Sequence, residues 1–389
     1  MPCTRRTLIA AFCCSVVVFV TYAVIVEPLV FPDALDMVAV YSSHTGAIFN
    51  HAWTAVKSRY NLPRDLVVDK REYQNANYPC YPTSPPENTF IQRQQKIQHQ
   101  RRHLLQQACH QYLGFDQFSA TKMKKTPEVA FLLENYHLLY AQTAKIAGTS
   151  WDRVLLVLNG VANSTSQFGQ SETIDLTKIT VPRLENYKHS DRSFILSNFT
   201  TFMFTRHPFS RLLSAYHCKV GPDATEEHVH RGFYDLLRKR IQKKYQRTKP
   251  DGIPNFRDFA QYLVDTNSFS DPHWKENYKI VSPCDVDYDV IGHFETLEED
   301  ARYILTSVGA DCLVEFPTSE GSAATNSSHT DTLVEHYKDL PRDLLEGLYE
   351  RYKLDFLLFG YSFEVEIDGE MLQLPPPIDV KFKSKVTHE

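Results

Sequence analysis

Two segments of the chain share one pattern, in which a short apolar run leads through a polar loop into a stretch with helical periodicity. The apolar runs are residues 136–141 (YHLLYA) and 199–204 (FTTFMF), and each has the length and composition of a buried strand. Apolar residues then recur at helical spacing over 149–158 and 208–216. Alternating strands and helices predict an α/β fold, with a central parallel sheet flanked by helices and ligands at the carboxyl ends of the strands.

The two predicted helices carry their own start and stop signals. Thr149 can cap the first helix, Gly160 can end it, and Pro208 suits the first turn of the second. We expect the apolar face of each helix to pack against the sheet. Those faces are Trp151, Val154, Leu155 and Leu158 in the first helix, and Phe209, Leu212, Leu213 and Tyr216 in the second.

The loop after the first predicted strand, residues 142–148, has the chemistry of an anion cradle. Lys145 supplies a positive charge, Thr149 and Ser150 supply hydroxyl donors, and the backbone N–H groups at the helix start can face an anion. The GxxxxGK[ST] spacing of a Walker A phosphate loop is absent. Taken alone, the segment is also compatible with an ordinary loop and a capping threonine.

The loop after the second predicted strand offers a second anion site. Arg206 follows the strand, and Ser214 lies about two turns into the next helix. A guanidinium fork can bind two phosphate oxygens at once, and a nearby hydroxyl can complete the site. A surface arginine in an ion pair would explain this segment if it stood alone. Two anion-binding turns in one domain predict a ligand with two separated phosphates.

The N-terminus predicts an exported, membrane-anchored protein. Residues 1–6 contain Arg5 and Arg6, whereas residues 7–26 contain no charged residue. As a helix, the second segment spans about 30 Å, the thickness of a hydrocarbon core. The positive-inside rule then predicts a single-pass type II protein with a cytosolic tail (1–6), an anchor (7–26) and all later residues in the lumen. The alternative is a cleaved signal peptide with Ala23 at the cleavage site.

The remaining chain divides by composition into a stem, one domain and a tail. Residues 27–128 are irregular, and 91–107 are crowded with Gln, His and Arg, so we expect a stem without core residues. Regular periodicity over 129–365 predicts one luminal domain. Residues 366–389 contain a run of three prolines and a charged tail, which predict an exposed C-terminal extension.

Overall composition excludes several classes of protein. The 389 residues are 42% hydrophobic and 23% charged, which are ordinary values for a globular protein and exclude collagen, coiled coil or disorder as the main structure. The net charge of −5 gives no overall basic field, so nucleic acid is not an expected partner.

Cysteines and glycosylation motifs agree with export. The eight cysteines are too few for a disulfide scaffold. An odd number follow the anchor, so at least one is free or pairs with another chain: Cys80, Cys109, Cys218, Cys284 and Cys312. Three Asn-x-Ser/Thr motifs are expected glycosylation sites, at Asn163, Asn198 and Asn326.

Several motifs resemble, in order, those of membrane-bound carbohydrate sulfotransferases, specifically the chondroitin and dermatan 4-O-, N-acetylgalactosamine 4-O- and HNK-1 sulfotransferases. Residues 137–145, followed by Thr149-x-Trp151-x-Arg153-Val154-Leu155, are similar to the 5′-phosphosulfate-binding motif of that family. The 3′-phosphate-binding motif is similar to Arg206-x-Pro208-Phe209-x-Arg211-Leu212-x-Ser214-Ala215. Further matches lie at His273-Trp274, Pro283-Cys284, and residues 288–301 and 352–361.

The resemblance implies a P-loop-like sulfotransferase fold in a Golgi membrane enzyme. Its reaction would transfer a sulfuryl group from 3′-phosphoadenylyl sulfate to a hydroxyl of a chondroitin/dermatan-type or N-acetylgalactosamine-containing glycan, and no metal is expected. Lys145 would stabilise charge on the leaving phosphate. The donor-binding residues that it implies are Ala144, Lys145, Ile146, Ala147, Gly148, Thr149, Ser150, Arg206, His207, Pro208, Phe209, Ser210, Arg211, Leu212, Leu213 and Ser214.

Such a transfer needs a base for the proton of the acceptor hydroxyl, and histidine is the usual residue for this role. His273 is the candidate, because it lies in a matched motif beside Trp274, whose ring could stack on a sugar. His137 belongs to the first predicted strand and is equally well explained as a core residue.

Residues 233–247 predict an amphipathic helix on the acceptor side. The apolar stripe is Phe233, Leu237, Ile241 and Tyr245, and the basic side is Arg238, Lys239, Lys243, Lys244 and Arg247. This basic side could be an ordinary solvated surface or could contact a polyanionic glycan, and the sequence is compatible with both interpretations.

Two other functions stay open at the level of sequence. The run Asp285 to Asp289 contains D-x-D spacings, which can hold a divalent metal beside a nucleotide sugar in a type II Golgi glycosyltransferase. A non-catalytic surface receptor is the second alternative, but it leaves the two anion-binding turns unexplained.

Overall fold

The computed structural model describes residues 88–114, 125–224, 233–245, 252–266, 271–317, 330–367 and 369–376. The predicted cytosolic tail, the anchor, most of the stem and Asn326 lie outside these ranges. Among the helices that can be described, none combines the length and the apolar character needed to cross a bilayer.

A four-stranded sheet lies at the centre of the described chain, in the order β1-β2-β3-β4. Strand β1 pairs antiparallel with β2, whereas β2, β3 and β4 are parallel to one another. The α/β prediction is therefore confirmed, with a mixed sheet in place of a wholly parallel one. The strands are β1 (Ala130–Leu133), β2 (Leu138–Ala141), β3 (Thr200–Thr205) and β4 (Val290–His293), and a separate hairpin contains β5 (Phe363–Ile367) and β6 (Glu370–Leu374).

Helices occupy the segments between and around these strands. They are α1 (Asn88–Leu113), α2 (Gly148–Leu158), α3 (Gln170–Thr180), α4 (His189–Asn198), α5 (Pro208–Lys219), α6 (Phe233–Tyr245), α7 (Phe256–Thr266), α8 (Asn277–Val281), α9 (Leu297–Ser307), α10 (Thr330–Tyr337) and α11 (Arg342–Phe359). Both predicted strand–loop–helix units are present, as β2 leading to α2 and β3 leading to α5.

The ends of these units differ from expectation at two points. Strand β2 begins at Leu138 rather than 136, because residues 134–136 form a 3₁₀ turn that ends in a left-handed His137 (φ 46°). Helix α2 begins at Gly148, after a left-handed Ala147, so Thr149 lies inside the helix and the predicted threonine cap is wrong. Pro208 is the first residue of α5, as predicted.

Aromatic packing holds α2 on the sheet. The buried Trp151 ring lies between 4.6 and 5.6 Å, centroid to centroid, from four other rings. These rings belong to Tyr140, Phe202, Phe204 and Phe316. Aromatic pairs of this kind contribute about 0.5–1.5 kcal/mol each beyond their buried area, so the loop between β2 and α2 is anchored at both ends.

Helix α1 corrects the expectation that residues 91–107 contain no core. Leu105, Ala108 and Cys109 are buried, and Cys109 forms a disulfide with Cys284, 175 residues later. Polar residues of α1 are also buried, because the side chain of Gln98, only 1% exposed, accepts from the backbone of Ile291 and donates to Asp300. Residues 88–113 therefore pack on the domain, which sequence periodicity could not indicate.

The hairpin β5–β6 corrects part of the predicted C-terminal extension. Ile367 and the side chains of Leu372 and Leu374 are buried in the same cluster as Phe209 and Tyr337. Up to Leu374 the segment that follows 365 thus belongs to the folded core rather than to an exposed tail.

The other described cysteines agree with the odd number of cysteines after the predicted anchor. Cys218 is a free thiol, and Cys312 is disulfide-bonded. The sequence requirement for at least one unpaired cysteine is therefore met at Cys218.

Candidate active site

The loop between β2 and α2 has a backbone shaped for anion binding. Lys145 and Ala147 both have left-handed conformations, with φ of 69° and 55°. Two arginines from the next unit hold this loop from one side, because Arg211 Nε donates to the carbonyl of Ala144 and Arg206 Nη1 donates to that of Lys145, each at 3.0 Å. In a trans peptide the N–H points opposite to the C=O, so the N–H groups of the next residues face away from the arginines.

The start of α2 adds further backbone donors. The first N–H bonded within the helix is that of Trp151, which donates to Ala147 O at 3.1 Å. The preceding N–H groups of the first turn, including those of Thr149 and Ser150, have no acceptor inside the helix. Together with Lys145, whose ammonium has no hydrogen-bond partner among the described residues, they form a site suited to an anion.

Arg206 lies below this loop rather than in open solvent. Its side chain is only 6% exposed, and its guanidinium lies 4.1 Å from the centroid of the Phe294 ring. Burial lowers the pKa of Arg206 to about 10, and the nearby carboxylate of Glu295 opposes that shift. Arg206 therefore stays charged at neutral pH and connects the two turns that the sequence predicts to bind anions.

The ring of His207, one of the expected donor-binding residues, makes hydrogen bonds within the protein. Its Nδ1 accepts from the backbone N–H of Ser210 at the start of α5, and its Nε2 donates to Ser362 O at 3.0 Å. Burial lowers the pKa of His207 to about 4, so the ring is neutral. Both ring nitrogens are occupied by these contacts.

Several other expected donor-binding residues have side chains packed in the interior. These residues are Ile146, Pro208, Phe209, Ser210, Leu212 and Leu213. Ser214 is buried in α5, and Thr149 and Ser150 are half-buried in the first turn of α2.

A histidine–aspartate pair lies in the turn before α8. The Nδ1 of His273 lies 2.7 Å from Asp271 Oδ1, and the Tyr234 hydroxyl lies 3.1 Å from both Asp271 Oδ2 and His273 Nδ1. A carboxylate accepts at Nδ1–H, which leaves the lone pair of the His273 ring on Nε2. The candidate base thus has an orienting carboxylate, as general-base histidines require.

Hydrogen bonds of Arg211 place this pair beside the Lys145 loop, because its guanidinium donates to the carbonyls of both Ala144 and Pro272. Burial lowers the pKa of His273 to about 4; Asp271 opposes the shift, and the charges of Lys219 and Lys145 add to it. Lys219 is 7% exposed, with its ammonium 5.3 Å from the centroid of the Tyr234 ring. A neutral histidine and two lysines therefore occupy one site at the carboxyl ends of β2 and β3.

Three of these residues were not predicted from the sequence. Lys219, Tyr234 and Asp271 come from separate segments, and only Tyr234 left a signal, because it lies three residues before Leu237 on the face that α6 buries. Phe233 is instead 45% exposed, so its predicted place on the apolar stripe is wrong. The side chain of Tyr245 is half-buried.

The basic side of α6 is partly engaged within the protein. Arg238 donates to the carbonyls of Val220 and Gly221, and Lys244 pairs with Asp265 at 2.9 Å. Lys239 and Lys243 remain exposed, and Arg247 lies outside the described residues. The described helix therefore presents fewer cations to a ligand than its sequence predicts.

The acidic run at residues 285–289 lies at the opposite edge of the sheet. Asp289 Oδ2 accepts from the backbone N–H of Thr201 at 2.8 Å, at the amino ends of β3 and β4, whereas Lys145 and Arg206 follow the carboxyl ends. Within the described ranges, no group of three or more His, Cys, Asp or Glu side chains is arranged to hold a metal ion. This geometry gives the D-x-D spacing a role in strand capping.

The remaining sequence candidates lie away from the site. His137 is exposed at the amino end of β2, with its ring against Phe199, and is not the core residue considered above. Asn163 and Asn198 are both exposed, as glycosylation sites must be.

Two cationic turns beside a histidine–aspartate pair are the arrangement expected of a group-transfer enzyme that handles an anionic donor. The sequence model of the sulfotransferase family matches residues 129–362, and the chain belongs to this family. The resemblance to the carbohydrate sulfotransferases is thereby confirmed.

Individual relatives agree with this assignment. The chain is 35% identical to carbohydrate sulfotransferase 10 of Homo sapiens over 243 residues, which are 60% of this chain and 66% of that protein. It is 27% identical to carbohydrate sulfotransferase 9 of Homo sapiens over 330 residues, 79% and 72% of the two chains. Identity to carbohydrate sulfotransferase 11 of Rattus norvegicus is 30% over 234 residues, 59% and 66%. The chain spans about two thirds of the length of these relatives. No solved structure is significantly similar to it.

Proposed function

We propose that the protein transfers a sulfuryl group from 3′-phosphoadenylyl sulfate to a hydroxyl group of a glycan. The observation that carries the proposal is the meeting of the Lys145 loop with the Asp271–His273 pair at one edge of the sheet. One half of this site suits an anionic leaving group, and the other half suits the removal of a proton. Family membership supports the same reaction.

The chemical step assigns a role to each half. The acceptor oxygen attacks sulfur and forms a new S–O bond, while the S–O bond to the 5′-phosphate breaks. His273 Nε2 takes the proton of the acceptor hydroxyl, with its ring oriented by Asp271. The released 3′-phosphoadenosine 5′-phosphate carries the electron pair away, and Lys145 stabilises the negative charge that develops on it.

Donor recognition would fall to the second turn. A 3′-phosphate lies away from the reacting sulfur, so its recognition is a matter of binding and positioning. Arg206 supplies a buried, charged guanidinium that can bond to an anion while it holds the carbonyl of Lys145. Ser214 on α5 is the hydroxyl expected to assist.

The cellular setting is proposed on the same grounds. Residues 7–26 would anchor the protein as a single-pass type II enzyme in the Golgi membrane, with the domain in the lumen. The Cys109–Cys284 disulfide suits that oxidising compartment. The finer fold class is proposed to be the P-loop-like sulfotransferase fold.

The direct test is an acceptor screen. The purified protein is incubated with labelled 3′-phosphoadenylyl sulfate, or with labelled nucleotide sugars, over a panel of glycans that includes chondroitin, dermatan and N-acetylgalactosamine-terminated chains. Label from phosphoadenylyl sulfate should appear in a glycan. Transfer from a nucleotide sugar alone would contradict the proposal.

Arg206→Lys should destroy discrimination between donors. A lysine cannot replace a bidentate guanidinium, so kcat/KM with 3′-phosphoadenylyl sulfate should fall by about 30- to 1,000-fold, or roughly 2–4 kcal/mol. Turnover with adenylyl sulfate, which lacks the 3′-phosphate, should change much less. Equal losses with both donors would show that Arg206 acts only by supporting the Lys145 carbonyl.

Chelation should leave turnover intact. The proposed site meets its anions with Lys145, Arg206 and backbone N–H groups, and residues 285–289 lie at the other sheet edge. Activity measured with excess EDTA should stay close to that without it. A strict need for manganese, restored on adding the ion, would favour the glycosyltransferase alternative.

A further inference from the structure

Arg211 has a position that neither half of the proposed chemistry uses. Its side chain is only 3% exposed, and its three guanidinium nitrogens donate to backbone carbonyls in two separate segments. Nε donates to Ala144 O at 3.0 Å, directly before Lys145. Nη2 donates to Pro272 O at 2.9 Å and Nη1 to Lys275 O at 2.6 Å, on either side of His273.

The second segment is a compact turn, in which the buried Trp274 packs against the rings of Tyr234 and Phe259. Trp274 N and Lys275 N both donate to Asp271 O, at 3.1 and 2.8 Å, so the turn closes on itself. Beyond Arg211, the Tyr352 hydroxyl donates to Trp274 O at 2.7 Å. Arg211 is therefore the side chain that bonds directly both to this turn and to the lysine loop.

A second contact connects the same two regions. Thr143 Oγ1 donates to Asn277 Oδ1 at 2.7 Å, and the backbone N–H of Asn277 donates to the buried carboxylate of Asp355. The loop and the turn are thus connected both through Arg211 and through the Thr143–Asn277 hydrogen bond. The planar guanidinium of an arginine has fixed angles between its N–H groups, so it can hold the loop and the turn at a set distance. The flexible ammonium of a lysine cannot do this.

We propose that Arg211 is a positioning residue, which fixes His273 relative to Lys145 so that the base and the leaving-group cation act on one sulfuryl transfer. The inference rests on the proposed function, since it assumes the roles of Lys145 and His273. It differs from the sequence-based expectation that Arg211 binds the donor, because all three nitrogens are bonded to the protein backbone.

Arg211→Lys tests the proposal by separating chemistry from binding. A displacement of about 1 Å can cost on the order of a hundredfold in rate, so kcat should fall by roughly ten- to a hundredfold. The affinity for 3′-phosphoadenosine 5′-phosphate, measured by titration calorimetry, should stay within about threefold of the native value if the phosphate contacts persist. A folded variant with native kcat, or one that loses only affinity for this product, would overturn the proposal.

Arg192→Lys is the matched control. Arg192 also donates to two backbone carbonyls, those of Tyr187 and Glu185, but it lies on α4 outside the site. Its replacement should leave kcat unchanged. If both variants lose the same fraction of activity, the effect of Arg211→Lys reflects general destabilisation and the proposal fails.

A double-variant cycle with His273→Ala shows whether Arg211 acts through the base. Once His273 is absent, its placement has no consequence, so Arg211→Lys should lower the residual kcat far less than it does in the native protein. An equal fold-loss in both backgrounds would contradict a role through His273.

Tyr352→Phe is the alternative test if the Arg211→Lys variant does not fold. It removes one hydroxyl that holds the same turn, and should lower kcat by a few-fold with unchanged binding of 3′-phosphoadenosine 5′-phosphate. Unchanged kcat there would count against the proposal. Failure of the proposed function has a different signature, since the native protein would then neither bind this product nor sulfate any glycan.

Discussion

Lys145→Ala should lower kcat by about a hundredfold or more, the scale for losing one preorganised electrostatic donor. Lys145 is the one full positive charge in the loop between β2 and α2, and both it and Ala147 have a left-handed backbone. The measurement is steady-state turnover with saturating 3′-phosphoadenylyl sulfate and a glycan acceptor from the screen.

Lys188→Ala is the control for the loss of a positive charge elsewhere on the protein. Lys188 is exposed at the start of α4, so its loss should leave kcat unchanged. A folded Lys145→Ala protein with near-native kcat would remove the assigned role at the leaving group.

His273→Ala should lower kcat by roughly 10²- to 10⁴-fold, the usual contribution of a positioned general base. His137→Ala is the matched control, because that histidine lies at the amino end of β2 and should not affect turnover. Loss of activity in both variants to the same degree would argue against a base at His273.

The pH profile gives a second measure of the same residue. The base acts when neutral, so kcat/KM should fall as pH drops through the pKa of His273, which burial lowers to about 4. Activity limited by this group should therefore hold down to about pH 5 instead of declining below 6.5. Lys219→Met removes a charge that lowers this pKa, so the acid limb should move to higher pH. An unmoved limb would show that Lys219 does not act on the base.

Local patterns account for the parts of the fold that sequence could predict. Strands β2 and β3 and the helices after them were visible, because apolar periodicity and Pro208 act within one short segment. Lys145 and Arg206 followed from their places after those strands. The structure adds what no local pattern encodes, namely that Arg206 and Arg211 bond to the lysine loop itself.

The missed features depend on contacts between distant segments. Asp271 and Lys219 could be assigned to the site only from their contacts with Tyr234. The hydroxyl of Tyr234 donates to Asp271, and the ammonium of Lys219 lies over the Tyr234 ring. Helix α1 packs on the domain partly through polar side chains. Gln98 and Arg101 bond to residues of β4 and α9. Such polar contacts leave no apolar periodicity in the sequence.

The Cys109–Cys284 bond has a practical consequence for any shortened form of this protein. A fragment cut at residue 129, where the family match begins, would lose α1 and leave Cys284 as a new reactive thiol. It would also leave the buried carboxylate of Asp300 without its Arg101 partner, 2.8 Å away. By loop-closure entropy alone, the lost cross-link over 175 residues corresponds to about 5 kcal/mol of stability. The shortest form that retains the native core therefore has to begin at or before Asn88.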